Sequence, residues 1–596
     1  MDSWKQLAIV AAVCAWFSFW GIGSVSFIDP DEGMYGTIAG EMAEGGDWVT
    51  LHFNGVRYLN KPPLLFWLSA LTFKITGPSE WGVRLWSALP AFGAALLVWF
   101  MGTWLYGASG GLFSALIFSF TVGIFLYSHV TLTDLLLVFS VSLAVTAAMQ
   151  SLRAGDPKGR LDGQRNRWEA GAPLFFYLAL ALGALAKGLV AILLPAAIIG
   201  IFALICGRVG AVYRSLVANR YALTGIVLFF IFVAPWHILA IRENPGFFRY
   251  YLLDNQLLRY VKGGSLIEDD VSVTTSAFLL LSLVWFLPWS LLLPVVVRGL
   301  FRIDRAPSPA RELRLLPPLW ALTVLIFFSF SSSKLEHYSL PALPALSLMT
   351  GGWWAARLEL TQPVAKLSRY AAFALLIIAM AGIAMLHSGF APTTSKLSNA
   401  FSGIMGYYRA MQAQGHTIPI AAESFFTMSV GVGLTVILGV SAAALLLTFN
   451  RVYAAFFAFL LTSAGIFILL FRLLLLLEPY HSSKPIAEAI LPRLQPHDLV
   501  LHEDPLEYSG GLAYYTGRRI YVINGKRGSL EFGSRYPEAR DLFLDTEMFR
   551  RLWAGERKLF LVTGLPRERS AVRLLPQQEV VLVGQFGARW LYTNRP

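Results

Sequence analysis

Apolar runs of roughly 17 to 25 residues, the length that crosses about 30 Å of hydrocarbon as a helix, recur from Leu7 to Leu476 and then stop. Short polar stretches separate them. The pattern predicts about thirteen transmembrane helices, near 7–28, 84–104, 111–128, 132–150, 172–186, 189–206, 221–240, 275–297, 316–331, 339–356, 370–388, 425–449 and 452–476. Beyond residue 478 the period changes. Segments 498–502, 519–522, 559–562 and 579–583 read as short strands and 539–553 as a helix. Residues 479–596 are therefore expected as a small α/β soluble domain attached to a membrane domain of residues 1–478.

Composition agrees with that division: 56% of the 596 residues are hydrophobic and only 14% charged, which excludes an ordinary soluble globule. The net charge of +12 does not indicate nucleic acid, because most of the excess lies in short loops between spans. Cations at 153–167, 208–220, 298–314 and 357–369 and at Arg451 all fall on one side if Lys5 and the N-terminus are cytoplasmic. Keeping that parity requires two short helices broken at Lys187-Gly188 in place of one long span. The first run is long and no small-x-small cleavage site follows it, so it reads as a retained anchor. Loops 29–83, 128–134, 241–274, 331–338 and 389–423 and the C-terminal domain then face outward, the 389–423 loop as a plain excursion or a lid. Cys14 and Cys206 lie in or at the end of apolar runs, so the soluble domain has no disulfide and depends on its own core.

The outward loops carry the candidate chemistry. Asp29-Pro30-Asp31-Glu32 follows the first run, and Tyr58-Leu59-Asn60-Lys61-Pro62-Pro63 closes the same loop. A structural account exists for part of it. Asp29 as N-cap, Pro30 in the first turn and Glu32 as the reciprocal capping partner open a helix that ends at Gly45-Gly46. That account leaves Asp31 and Lys61 unexplained. Met34, Ile38 and Met42 share one side of this helix, which suits a helix lying along the membrane surface. Asp134 opens a span, where it is a cap or a functional acid. Lys187 interrupts a pair of short helices, and His337 and Tyr338 stand in a polar turn before Pro341. Arg259 comes one helical turn after Asn255. No P-loop, dinucleotide fingerprint or zinc-protease helix is present, and an outward face has no cytoplasmic nucleotide sugar to draw on. An activated substrate must arrive in the membrane.

The order Asp-Glu-x-x-Tyr, Lys-Pro-Pro, Thr-Asp, Ala-Lys-Gly and Lys-Leu-x-x-Tyr resembles the polyprenyl-phosphate-dependent membrane glycosyltransferases of the GT-C fold. Within them it is most similar to the lipid A aminoarabinose transferases and the bacterial protein O-mannosyltransferase superfamily, over the chain through about Leu348. The resemblance implies a bacterial inner-membrane enzyme with a periplasmic C-terminal domain, taking a sugar from undecaprenyl phosphate to lipid A or another envelope glycan or lipid. By the same resemblance Asp31 is the catalytic acid, with Glu32 beside it and Asp134 lining the site. Lys61, Arg259 and Lys187 lie near the carrier phosphate, and Tyr35, Tyr58, His337 and Tyr338 belong to the pocket. The chain departs from the aminoarabinose transferases at Met34 (usually Arg), Asn60 (usually an acid) and Asn255-Gln256 (usually Glu-His). Amides are poor substitutes for carboxylate and imidazole, so no cofactor is implied and a divalent metal is disfavoured. An oligosaccharide ligase using a pyrophosphate carrier is the alternative, followed by a transporter; against the latter, the charges cluster at one face and no duplicated half is visible.

Overall fold

The computed structural model describes residues 3–154, 167–262, 272–300, 309–359, 422–526 and 528–596. Six helices in these segments are long and apolar enough to cross a membrane: Glu80–Ser119, Asp134–Leu152, Arg220–Glu243, Glu312–Ser329, Gly431–Thr448 and Val452–His481. Thr275–Trp285 and Trp289–Gly299, bent by 101° at their junction, make a seventh if they are one span. The chain is thus a multi-pass helical membrane protein. The expected breaks between spans are present. Segments 84–104 and 111–128 correspond to the two parts of Glu80–Ser119, which kinks at Gly107, whose φ of 77° only glycine adopts readily, followed by the short helix Val122–Ser128. The expected spans 172–186 and 189–206 are the short helices Arg167–Lys187 and Val190–Ile205, separated at Gly188 with φ +79°. The expected span 370–388, the 389–423 loop and the cations at 158–165, 302–305, 366 and 369 lie outside the described residues.

The first outer loop is a folded unit. Its helix, Asp31–Gly45, ends as expected at Gly46, which takes the left-handed conformation at φ 75° and donates its N–H to Met42 O. Its start differs from the capping-box expectation. Pro30 occupies the cap position without a side-chain cap, while the Asp29 carboxylate turns away to accept from Gly511 N at 2.8 Å and Ser483 Oγ at 2.6 Å. The apolar stripe of this helix does not face open lipid. Met34, Ile38 and Met42 share one core with Val500, Leu506, Leu512 and Ile520 of the C-terminal domain, because that domain supplies the apolar surface the stripe needs. A hairpin follows, His52–Phe53 with Val56–Arg57, turned by Asn54 and Gly55 at φ 58° and 73°.

The C-terminal domain is a six-stranded sheet in the order Phe543–Leu544, Ile520–Ile523, Leu499–Glu503, Leu559–Thr563, Arg589–Thr593, Val581–Phe586. The first four are parallel and the last two form an antiparallel hairpin. Leu559–Thr563 is buried at every position, which explains its unbroken apolar run. The expected helix 539–553 shortens to Thr546–Trp553, because Asp545 caps it by accepting from Met548 N at 2.8 Å and the residues before it enter the sheet. Arg589–Thr593 was not expected; its polar ends hide it from a pattern search.

Glu32 joins this loop to the membrane helices. It is fully buried and meets Arg84, also buried, through two parallel bonds: Nε to Oε1 at 2.8 Å and Nη2 to Oε2 at 2.7 Å. Its oxygens also accept from Thr131 N at 2.7 Å and Ile28 N at 3.1 Å, and Arg84 donates further to the carbonyls of Ile22, Val25 and Ser26. Removing one partner of such a pair leaves a buried charge uncompensated, at a cost of about 3–5 kcal/mol. Arg84→Met is therefore expected to lower the Tm of the purified protein by clearly more than the double variant Arg84→Met with Glu32→Gln. Equal losses in a thermal-unfolding series would show that the pair is not coupled.

Candidate active site

Five chain segments converge on one open cleft. Asn60-Lys61-Pro62 arrives from the first loop, just before the helix Leu64–Thr76. Asp134 enters at the first turn of its span, and Lys187 ends its helix because Gly188 then turns the chain. Asn255, Gln256 and Arg259 come from a wide π-helix, Arg249–Leu258, and the turn that follows it. Such widened turns recur at functional sites, where the extra residue redirects side chains. Ser331, Ser333 and Tyr338 complete the polar wall, and Leu137, Leu193, Phe327 and Phe328 form an apolar one.

Lys187 Nζ sits 2.5 Å from Asp134 Oδ1 and 5.3 Å above the Tyr338 ring. His337 Nε2 approaches the other Asp134 oxygen at 3.6 Å, and its Nδ1 lies 3.7 Å from Glu336. Asn255 Nδ2 donates to Asn60 O at 2.7 Å, and Tyr250 OH donates to Asn60 Oδ1 at 2.5 Å. Arg259 stands 3.5 Å from Asn255 Oδ1 and 3.4 Å from Ser333 Oγ. Leu189 N donates to Gln256 Oε1 at 3.3 Å, which ties the π-helix to the Lys187 break. Lys61, Lys187 and Arg259, from three parts of the chain, thus line one cavity, with Lys187 paired to Asp134.

Of the residues expected at the site, Lys61, Asp134, Lys187, Arg259 and Tyr338 line the cleft, and His337 stands behind Asp134. Asp31 is half-buried at the start of its helix, outside the lining. Glu32 is held by Arg84 and backbone amides away from the cleft. Tyr35 and Tyr58 pack on Phe66 at 5.3 and 6.1 Å, in a core that also contains Leu136 and Ala186. They pack behind Asp134 and Lys187, while Tyr338 and Tyr260 line the wall. Sequence gave no role to Tyr260 or Ser333, although both neighbour residues it singled out. The amides Asn60, Asn255 and Gln256 do meet at one place, and they do not fit a divalent ion. Among the described residues no three His, Cys, Asp or Glu side chains are grouped to hold one.

The family model for dolichyl-phosphate-mannose-protein mannosyltransferase matches residues 60–239. The undecaprenyl phosphate-alpha-4-amino-4-deoxy-L-arabinose arabinosyl transferase of Edwardsiella ictaluri is 26% identical over 571 residues, covering 93% of this chain and 92% of that one. One of the same name from Pseudomonas fluorescens is 30% identical over 330 residues, and there the match spans about half of each chain, 54% and 53%. An uncharacterised protein of Aquifex aeolicus is 30% identical over 384 residues, 64% of this chain and 79% of that one, which places the two in one family. Among solved structures, ArnT from Cupriavidus metallidurans bound to undecaprenyl phosphate superposes with a TM-score of 0.74 at 24% identity, over 99% and 98% of the two chains. The fold is shared.

Gly188 is the backbone joint of the cleft: a Cβ there would meet Gln256 Nε2 at 2.8 Å and Tyr251 OH at 2.9 Å, at a φ that costs a non-glycine residue about 1–2 kcal/mol. Gly188→Ala is expected to lower Tm by several degrees, and adding Gln256→Ala to return part of the loss. A single variant as stable as wild type in the same melting experiment would contradict this geometry.

Proposed function

The chain is a membrane glycosyltransferase of the GT-C type that resembles the aminoarabinose transferases, and from that premise we propose that it moves a sugar from an undecaprenyl-phosphate carrier to a lipid or glycan of the cell envelope. The single observation that carries the reading is the convergence of Lys61, Lys187 and Arg259 on a cleft that also has an apolar wall. A phosphosugar with a lipid tail has that combination of an anion and a hydrocarbon. The cleft opens outward by the charge parity of the loops, at the periplasmic face of the bacterial inner membrane, with the C-terminal domain on the same side.

In the proposed reaction the acceptor oxygen attacks the anomeric carbon as the bond from that carbon to the phosphate oxygen breaks, with inversion. Asp31 takes the proton of an acceptor hydroxyl. The electron pair of the broken bond stays on the carrier phosphate, whose growing charge is met by Lys61, Lys187 and Arg259 in a water-poor cleft. Asp134 keeps Lys187 pointed at the cleft, and His337 steadies Asp134. If the acceptor is a lipid phosphate it is already ionised, and Asp31 orients it. The neutral amides Asn60, Asn255 and Gln256 line the same cleft and would hydrogen-bond the hydroxyls of the donor sugar.

Asp31→Asn is expected to reduce turnover about 100-fold or more, the range for loss of a general base. Binding of undecaprenyl-phosphate sugar should be retained. Lys61→Ala and Arg259→Ala are expected to weaken donor binding as well. The assay is release of carrier phosphate by purified protein in detergent with candidate acceptors; unchanged turnover in Asp31→Asn would remove the base assignment.

A further inference from the structure

The loop that carries Asp31 and Lys61 is gripped at both ends by the C-terminal domain. At the first end Asp29, two residues before Asp31, is 5% exposed, and so is Arg589, which comes 560 residues later in the sheet. Arg589 Nη1 donates to Asp29 Oδ2 at 3.0 Å and to Ser483 Oγ at 3.0 Å, and it also reaches Tyr508 O and Ser509 Oγ at 3.2 Å. Its Nη2 donates to Ser482 O at 2.5 Å. The other Asp29 oxygen accepts from Gly511 N. Backbones touch beside this pair. A Cβ on Gly510 would lie 2.6 Å from Met34 N and 2.8 Å from Pro30 O, and one on Gly33 would overlap Gly511 N. Thr37 Oγ1 donates to Gly510 O at 2.8 Å across the same seam.

At the other end the side-chain amide at the hairpin tip bonds the backbone of the sheet: Asn54 Nδ2 donates to Ile520 O at 2.7 Å and Ile520 N to Asn54 Oδ1 at 2.8 Å. Arg57, four residues before Lys61, donates to Glu538 Oε1 at 2.5 Å and stacks 4.2 Å from the Tyr536 ring. Lys187 and Arg259 belong to other elements.

We propose that Asp29 and Arg589 are positioning residues: through this buried latch the C-terminal domain sets where Asp31 stands relative to the cleft. A guanidinium bonded on several sides holds its partner in distance and direction, and an ammonium of the same charge does not. The role rests on the assignment of Asp31 as the base.

The test uses the full chain in lipid nanodiscs with an undecaprenyl-phosphate sugar donor, following kcat, donor KM and Tm. Asp29→Asn and Arg589→Lys are expected to lower kcat about tenfold or more, since a displacement of about 1 Å is enough for that. Donor KM should change less than about threefold, because Lys187 and Arg259 hold the phosphate. Gly510→Ala keeps the ion pair and displaces the helix, and it should give the same split. In an Asp31→Asn background these substitutions should cost no further activity, because all act through the same group. Unchanged kcat in Arg589→Lys and Gly510→Ala, with Asp31→Asn inactive, would overturn the latch alone. Equal loss with and without Asp31, in step with Tm, would overturn it too, as a merely structural contact. An active Asp31→Asn would overturn the base assignment itself and the latch with it.

Discussion

A carboxylate removed from water must be met by a cation and by hydrogen bonds, or burial costs more than the fold can offset. Three carboxylates at the mouth of this bundle are under that constraint, and each has its own partner: Glu32 with Arg84, Asp29 with Arg589, Asp134 with Lys187. Together they place the outer parts of the molecule. The first pair anchors the loop helix to the Glu80–Ser119 helix, and the second anchors it to the sheet. The third joins two helices across the cleft.

These partnerships also sort the acids by role. Asp29, Asp31 and Glu32 are neighbours in one short segment, chemically almost interchangeable, yet two are enclosed by partners from distant parts of the chain. Asp31 is left half-buried between them. A group flanked on both sides by rigid contacts has its backbone position fixed, which a reacting group needs. The cleft repeats the principle on the cationic side. Asp134 neutralises part of Lys187, and Lys61 and Arg259 arrive on independent elements, so an anion bound there would bridge the first loop, a membrane helix and the π-helix region.

Much of this was legible in advance. Lys-Pro-Pro, Thr-Asp and Ala-Lys-Gly point to Lys61, Asp134 and Lys187, which the fold brings to one cleft, because a charged or helix-breaking residue at the end of an apolar run is conspicuous. The helix at Asp31–Gly45 was legible from Pro30 and Gly46, since caps act over one turn. Tyr35 and Tyr58 were assigned to the wall by resemblance, and packing put them behind it. A tyrosine serves equally well in a core or at a surface, and only the position of Phe66 decides. What covers the stripe of the loop helix was not legible for a related reason. An apolar stripe states that something apolar covers it, and lipid and a folded domain satisfy that statement equally.

What the sequence by itself determined is therefore what short-range physics controls: the apolar spans, the change of period after residue 478, the polar breaks and the helix ends. Hydropathy and capping act across a few residues, so they survive in the one-dimensional pattern. Tertiary structure alone decided which acid is enclosed, which face of the loop helix is covered and where the tyrosines point. Those outcomes depend on partners 52 residues away for Glu32 and 560 for Asp29, brought close only when the whole chain has folded.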